Sequence, residues 1–180
     1  GKVARHLAQA HAAVRSYRRI AIWTRDPAKA NGFADELRTA GYPAEPVTDL
    51  KAAVRSADVI SCATLAPDPI IQGAWLKPGA HLDLIGSHTP RTREADDEAI
   101  RRSQVFVDSR EGALHETGDL AIPIATGVFH PEAVVADLAE LCRGQHPGRT
   151  TTEAITLFKS AGLAIEDLAA ALLVYRSFLP

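Results

Sequence analysis

Short β-rich runs alternate with capped helical stretches along almost the whole chain, and that alternation leaves few folds open. Residues 19–24, 44–47, 58–64, 81–85 and 105–108 carry the β-branched and aromatic runs of strands. Val3, Leu7, Ala10 and Val14 recur at helical spacing and predict an amphipathic helix over 3–17. Asp26-Pro27 reads as an N-cap with proline at the first helical position, opening a helix that ends near Gly41. Asp49 caps a short helix over 50–55. Further helices are expected over 94–102, 110–116 and 132–142, with loops at Pro67 and Pro69, at 77–79 and over 144–149. Strands that alternate with helices build a parallel sheet covered on both faces. The expected fold class is therefore α/β, a doubly wound, Rossmann-type parallel sheet.

The last segment has its own logic. Residues 155–158 predict a strand, Lys159-Ser160 a polar turn, and a helix begins near Gly162. A strand aimed at a helix start through small residues presents backbone N–H groups to an anion or an amide. Residues 1–150 are thus read as a dinucleotide-binding domain that lacks its first strand, and 151–180 as a strand and helix that complete the site.

The chain opens at Gly1, directly inside a helical pattern, and contains no methionine. The expectation is that the first strand lies just before Gly1 and that an upstream segment is absent. With 180 residues, 20 basic and 22 acidic side chains and a net charge of -2, there is no basic footprint for nucleic acid. No apolar run reaches the roughly 18 residues of a membrane span. Cys62 and Cys142 make no metal or disulfide framework, and no metal ligand set is expected; a reduced, cytoplasmic protein is the expectation. Cys62 reads as a small buried apolar residue.

Candidate site residues cluster at strand ends. Gly1-Lys2-Val3-Ala4 matches the second half of a glycine fingerprint that opens a helix on a pyrophosphate. The next strand ends in Thr24-Arg25-Asp26. A hydroxyl beside a planar guanidinium suits a ribose 2′-phosphate, which favours NADP(H), with NAD(H) as the alternative; Asp26 is read as the helix cap. Ala63 and Thr64 end another strand where open α/β sheets bind ligands. Gly86 allows close backbone approach and Ser87 joins it as a cofactor contact. His88 is the candidate catalytic residue, as a proton donor or a substrate contact. Lys159 and Ser160 form the polar turn that offers backbone N–H groups to a cofactor amide, with a surface or dimer salt bridge as the other reading of Lys159. Glu94, Asp96, Asp97 and Glu98 read as a capping cluster favoured by the helix dipole. Asp108 likewise reads as a cap.

Taken in order, residues 22–30, 57–64, 75–81, 86–87, 107–111, 118–119 and 155–167 resemble the ornithine cyclodeaminase/μ-crystallin family over nearly the whole chain. The resemblance implies a nicotinamide cofactor and a separate, upstream dimerisation and substrate domain. It implies an amino acid or cyclic imine as substrate, and a homodimer. Members include ornithine cyclodeaminases, alanine dehydrogenases, reductases of imines such as Δ1-pyrroline-2-carboxylate, and μ-crystallin-like binding proteins. The cyclodeaminase carries an acid just after the glycines at the strand mouth; here the run is Gly86-Ser87-His88, with Thr89-Pro90 following. That departure favours imine reduction, with hydride delivered to the C=N carbon and a proton to nitrogen. The remaining catalytic groups, those gripping the substrate carboxylate, are expected upstream of Gly1.

Overall fold

A computed structural model describes residues 1–178. Helix α1 (Lys2–Val14) leads into strand β1 (Ile20–Ile22), helix α2 (Pro27–Thr39), strand β2 (Ala44–Pro46) and helix α3 (Leu50–Ser56). Strands β3 (Val59–Cys62) and β4 (His81–Leu84) follow, then α4 (Asp97–Arg102), β5 (Ser103–Val107), α5 (Arg110–Glu116) and α6 (Gly118–Ala125). The chain finishes with β6 (Val134–Asp137), α7 (Leu138–Cys142), β7 (Ile155–Lys159) and α8 (Ala164–Ser177). The fold is α/β, and every strand pairing is parallel.

Five strands form one sheet in the order β3-β4-β7-β5-β6, so the last strand enters its centre. Strands β1 and β2 form a separate pair. Among the described residues, β1 pairs only with β2 and β3 only with β4, so each has one free edge. Helix α1 spans the interval. Its Ala4 and Ala8 pack on the small core of Ile22, Ala30, Phe33, Ala34 and Leu37. On its other side His11 Nε2 lies 3.0 Å from the Asp83 carboxylate of β4. The main core lies on the five-stranded sheet, where Leu82, Leu84 and Leu157 are wholly buried. Each such side chain contributes about 1.5–3 kcal/mol of hydrophobic stabilisation.

The helix starts follow their caps. Asp26 accepts from Ala28 N at 3.0 Å and Asp49 from Ala52 N at 2.9 Å, as their positions before the helices predict. Three expectations are corrected. Residues 132–142 are not one helix: a 3₁₀ turn (Pro131–Ala133) precedes the edge strand β6, and only then does α7 begin. The β-branched pair Val134-Val135 extends against β5, while Asp137 and Glu140 close a capping box that starts the helix late. Helix α6 was not expected, because Gly118 and Pro123 are poor helix residues; Leu120, wholly buried, holds it against the core. Finally, α4 starts at Asp97 with Asp96 as its cap, so Glu94 lies outside the helix.

Candidate functional site

The parallel registers bring the strand ends level. Cys62 is opposite Leu84, Leu84 opposite Lys159, and Lys159 opposite Val107. The segments that follow these strands therefore share one edge of the sheet, where open α/β sheets bind ligands. A cleft of about 280 Å³ opens there, lined by Gly1, Lys2, Val3, Ala63, Leu65, Ile85, Gly86 and His88. It brings the N-terminus of α1 against the mouths of β3 and β4. A larger depression of about 440 Å³ lies elsewhere, along β2 and α3, where Arg19 is already paired with Glu45.

The α1 end of the cleft has the donor chemistry for an anion. The N-cap of α1 is Gly1, no side chain among the described residues caps the helix, and its first turn holds no acid. Its leading N–H groups and the positive end of its dipole are thus unneutralised by the helix itself. A Cβ built on Gly1 would meet nothing within 4 Å among the described residues. These features fit a dinucleotide pyrophosphate. The helix is held on the sheet by Asp83, whose Oδ2 accepts from Ser61 Oγ at 2.7 Å and faces His11 Nε2 at 3.0 Å. Both groups go to the same carboxylate oxygen, so the trio is an anchor and not a serine–histidine relay.

At the tip of β1, Thr24 Oγ1 donates to the Asp26 carbonyl at 2.6 Å while keeping its lone pairs available. Arg25 is exposed and makes no hydrogen bond or ion pair among the described residues. Asp26 is occupied as the cap of α2.

The β3 and β4 mouths are joined by Glu94. Its Oε1 accepts from Thr64 N at 2.6 Å and Thr64 Oγ1 at 2.8 Å, and its Oε2 from Gly86 N at 2.7 Å. Glu94 is wholly buried. Burial raises its carboxyl above the ordinary range, against the lowering effect of those three hydrogen bonds. Its own N–H donates to Asp119 Oδ1 at 2.7 Å. Lys159 Nζ in turn lies 3.2 Å from Asp119 Oδ2 and donates to Ser87 O at 2.8 Å and Leu84 O at 3.2 Å. Asp119 and Lys159 are both 0% exposed. Cys62, buried beside this set, has its thiol pushed well up, first by burial and then by the Glu94 and Asp119 charges.

Several expected roles change accordingly. Lys159 is neither in a turn nor at the surface: it ends β7 and its ammonium is sealed behind the β4 mouth, out of reach of a ligand. Ser160 donates to Asp108 Oδ2 at 3.0 Å, so its hydroxyl is committed within the protein. Asp108 is not the helix cap. Ser109 caps α5, and Asp108 gathers Ser109 N, Ala161 N and Gly162 N, each at 2.6 Å, which fixes the turn after β7. Gly86 is required by packing on the protein: its Cβ would lie 2.0 Å from Thr64 O. Ser87 is buried with its hydroxyl donated to Thr92 O, and Thr64's hydroxyl goes to Glu94. Glu94 itself is a clamp and not a member of the capping cluster. His88 remains exposed on the cleft wall, its Nδ1 3.2 Å from Gly86 O. Among the described residues no group of three or more His, Cys, Asp or Glu is placed to hold a metal, and no helix is long and apolar enough to cross a membrane.

An α/β sheet with a helix N-terminus against two strand mouths is the arrangement of nucleotide-binding α/β domains. The sequence pattern of the ornithine cyclodeaminase/mu-crystallin family matches residues 1–179, and the chain belongs to that family. It is 41% identical to the Delta(1)-pyrroline-2-carboxylate reductase of Paracoccus denitrificans over 177 residues, covering 98% of this chain and 56% of the relative. The solved structure of Thermococcus litoralis Delta(1)-pyrroline-2-carboxylate reductase, in complex with NADH and L-proline, superposes with a TM-score of 0.93 at 37% identity, covering 96% of this chain and 54% of that one. An archaeal alanine dehydrogenase dimer with bound NAD gives 0.92 at 29% identity, covering 98% and 54%. The chain spans about half the length of the curated relatives it matches.

Proposed function

We propose that the protein carrying this chain is an NAD(P)H-dependent reductase of a cyclic imine such as Δ1-pyrroline-2-carboxylate, and that this chain supplies its cofactor domain. The observation that carries the reading is the N-terminus of α1 facing the β3 and β4 mouths across one cleft. The likeness to a reductase that binds NADH and L-proline supports it. When bound, a reduced nicotinamide supplies the hydride for the imine carbon.

In this reading the N–H groups of Gly1, Lys2 and Val3 receive the pyrophosphate. Thr24 and Arg25 receive a ribose 2′-phosphate, so NADP(H) is favoured over NAD(H); the unpartnered guanidinium supports this. Ala63, Thr64, Gly86 and Ser87 contribute the two walls through their backbone. His88 delivers the proton to the imine nitrogen. Its Nδ1–H donates to the Gly86 carbonyl, so Nε2 gives up a proton only from the imidazolium form. The free edges of β1 and β3, with the half-length coverage of the relatives, support a further segment completing the sheet and a separate domain that grips the substrate carboxylate. A cytoplasmic homodimer completes the proposal; the free thiols Cys62 and Cys142 and the dimeric alanine dehydrogenase neighbour support it.

The test is turnover of Δ1-pyrroline-2-carboxylate by the full-length protein with NADPH and with NADH. Arg25→Ala should weaken NADPH by about tenfold or more, the worth of a charge-assisted hydrogen bond, and leave NADH nearly unchanged. No turnover with either cofactor refutes the reductase reading. Equal losses for both refute the role of Arg25.

A further inference from the structure

We propose that Glu94 is a positioning residue of the cofactor cleft, setting the spacing between its two walls at the nicotinamide end. The inference rests on reading the cleft as a dinucleotide site, and it concerns a residue that cannot itself touch the ligand. Glu94 is 0% exposed and lies behind the walls. One carboxylate oxygen takes both donors of Thr64, at 2.6 and 2.8 Å, and the other takes Gly86 N at 2.7 Å. These two residues lie in the segments after β3 and β4 that carry Leu65 and His88 on the cleft surface.

The walls are already in contact at this point. A Cβ on Gly86 would sit 2.0 Å from Thr64 O and 2.2 Å from Thr64 N. Two backbone segments this close, each with an inward N–H, need an acceptor with two oxygens facing them together. A carboxylate provides that; an amide does not, because one of its two atoms is itself a donor. Glutamine at this position would keep Thr64 and turn an N–H toward Gly86 N, or the reverse. Either way one wall is repelled.

The clamp is fixed from behind. Asp119 Oδ1 accepts from Glu94 N and Ala95 N at 2.7 and 3.3 Å, and Lys159 pairs with Asp119 at 3.2 Å. Lys159 also holds Leu84 O and Ser87 O, either side of Gly86. The β4 mouth is thus pinned through one N–H by Glu94 and through two carbonyls by Lys159. The α1 terminus and the Thr24-Arg25 tip receive none of these bonds. Glu94 therefore acts on one end of a bound dinucleotide and not on the other.

That asymmetry is the test. In the full-length protein, NADPH binding is followed by nicotinamide fluorescence and adenosine 2′,5′-bisphosphate binding by calorimetry, for wild type and Glu94→Gln, with thermal melting alongside. The expected result is NADPH affinity weakened by about tenfold or more, the scale on which losing a group that orients a binding residue weakens binding, with bisphosphate affinity unchanged within about twofold. Parallel loss of both ligands, or loss of neither, overturns the inference while leaving the site reading intact. A wild-type protein that binds neither ligand overturns the site reading, and the inference with it. Should E94Q fail to fold, Thr64→Ala removes one of the three donors and adds no atom beside the carboxylate. It should reproduce the selective NADPH loss at smaller size, and a non-selective effect or none overturns the inference.

Discussion

Replacing Lys159 by methionine tests the network behind the cleft most sharply. Methionine keeps an unbranched chain of similar length, so the change is chiefly the loss of the ammonium. Three partners are affected: Asp119 Oδ2 at 3.2 Å, Ser87 O at 2.8 Å and Leu84 O at 3.2 Å. All lie where water does not reach, with Lys159 and Asp119 both 0% exposed. Asp119 would keep its bonds from Glu94 N and Ala95 N but lose its counter-charge, with the Glu94 carboxylate nearby. Removing one partner of a buried pair costs about 3–5 kcal/mol, because the other charge stays buried. In a unit of this size that is a fall of about 6–20 °C in Tm, at roughly 2–4 °C per kcal/mol. Asp119→Asn should cost a similar amount by stranding the ammonium. The double variant K159M/D119N leaves no unpaired charge, so its cost should fall well short of the two single costs summed, by about 2 kcal/mol or more. Urea unfolding of the full-length protein by far-ultraviolet circular dichroism measures all three, with the slope m checked for constancy. A K159M cost below about 1 kcal/mol would place the ammonium in water and refute the burial argument. Strict additivity would show that Lys159 and Asp119 do not interact.

Two further outcomes follow from packing and titration. Gly73→Ala and Gly86→Ala should both destabilise by about 3 kcal/mol or more, since their added Cβ atoms would lie 2.2 Å from Ala99 N and 2.0 Å from Thr64 O, backbone that cannot step aside. Thermal melts measure both; only Gly86→Ala should also lose cofactor affinity out of proportion to its stability, and wild-type melting in either would refute the clash. His81 has its pKa lowered from 6.5 by burial, against the raising effect of Asp83. A depressed histidine pKa means that the unfolded chain takes up the proton first. Stability is therefore full above 6.5 and falls as the pH drops from there toward the folded pKa. His81→Gln should flatten this part of the pH profile of urea midpoints; an unchanged slope would assign it to other groups.

The parts legible in the sequence are those governed by near neighbours. Asp26-Pro27 and Asp49 announced their helices because a cap bonds two or three residues away. The strand runs ending at Cys62, Leu84 and Val107 announced themselves by composition. Residues 132–142 misled because Val134-Val135 fits either periodicity, and only pairing with β5 decides it. The charged residues misled in one direction. Local polarity predicts a helix cap at Glu94 and at Asp108 and a turn or surface residue at Lys159, because it assigns charge to caps and surfaces. Each instead serves partners far away in sequence: Thr64 and Gly86, the turn after β7, and Asp119. One local signal for Lys159 does exist. Along β7 the period of two places it on the same face as Ile155 and Leu157, both buried, so its ammonium had to find an acceptor inside. A lysine ending an apolar strand thus demands a buried carboxylate from elsewhere in the chain. Asp119, at the first turn of a helix that carries a proline, meets that demand here. The cleft walls are thus backed by a buried ionic scaffold of Glu94, Asp119 and Lys159, held by partners distant in sequence.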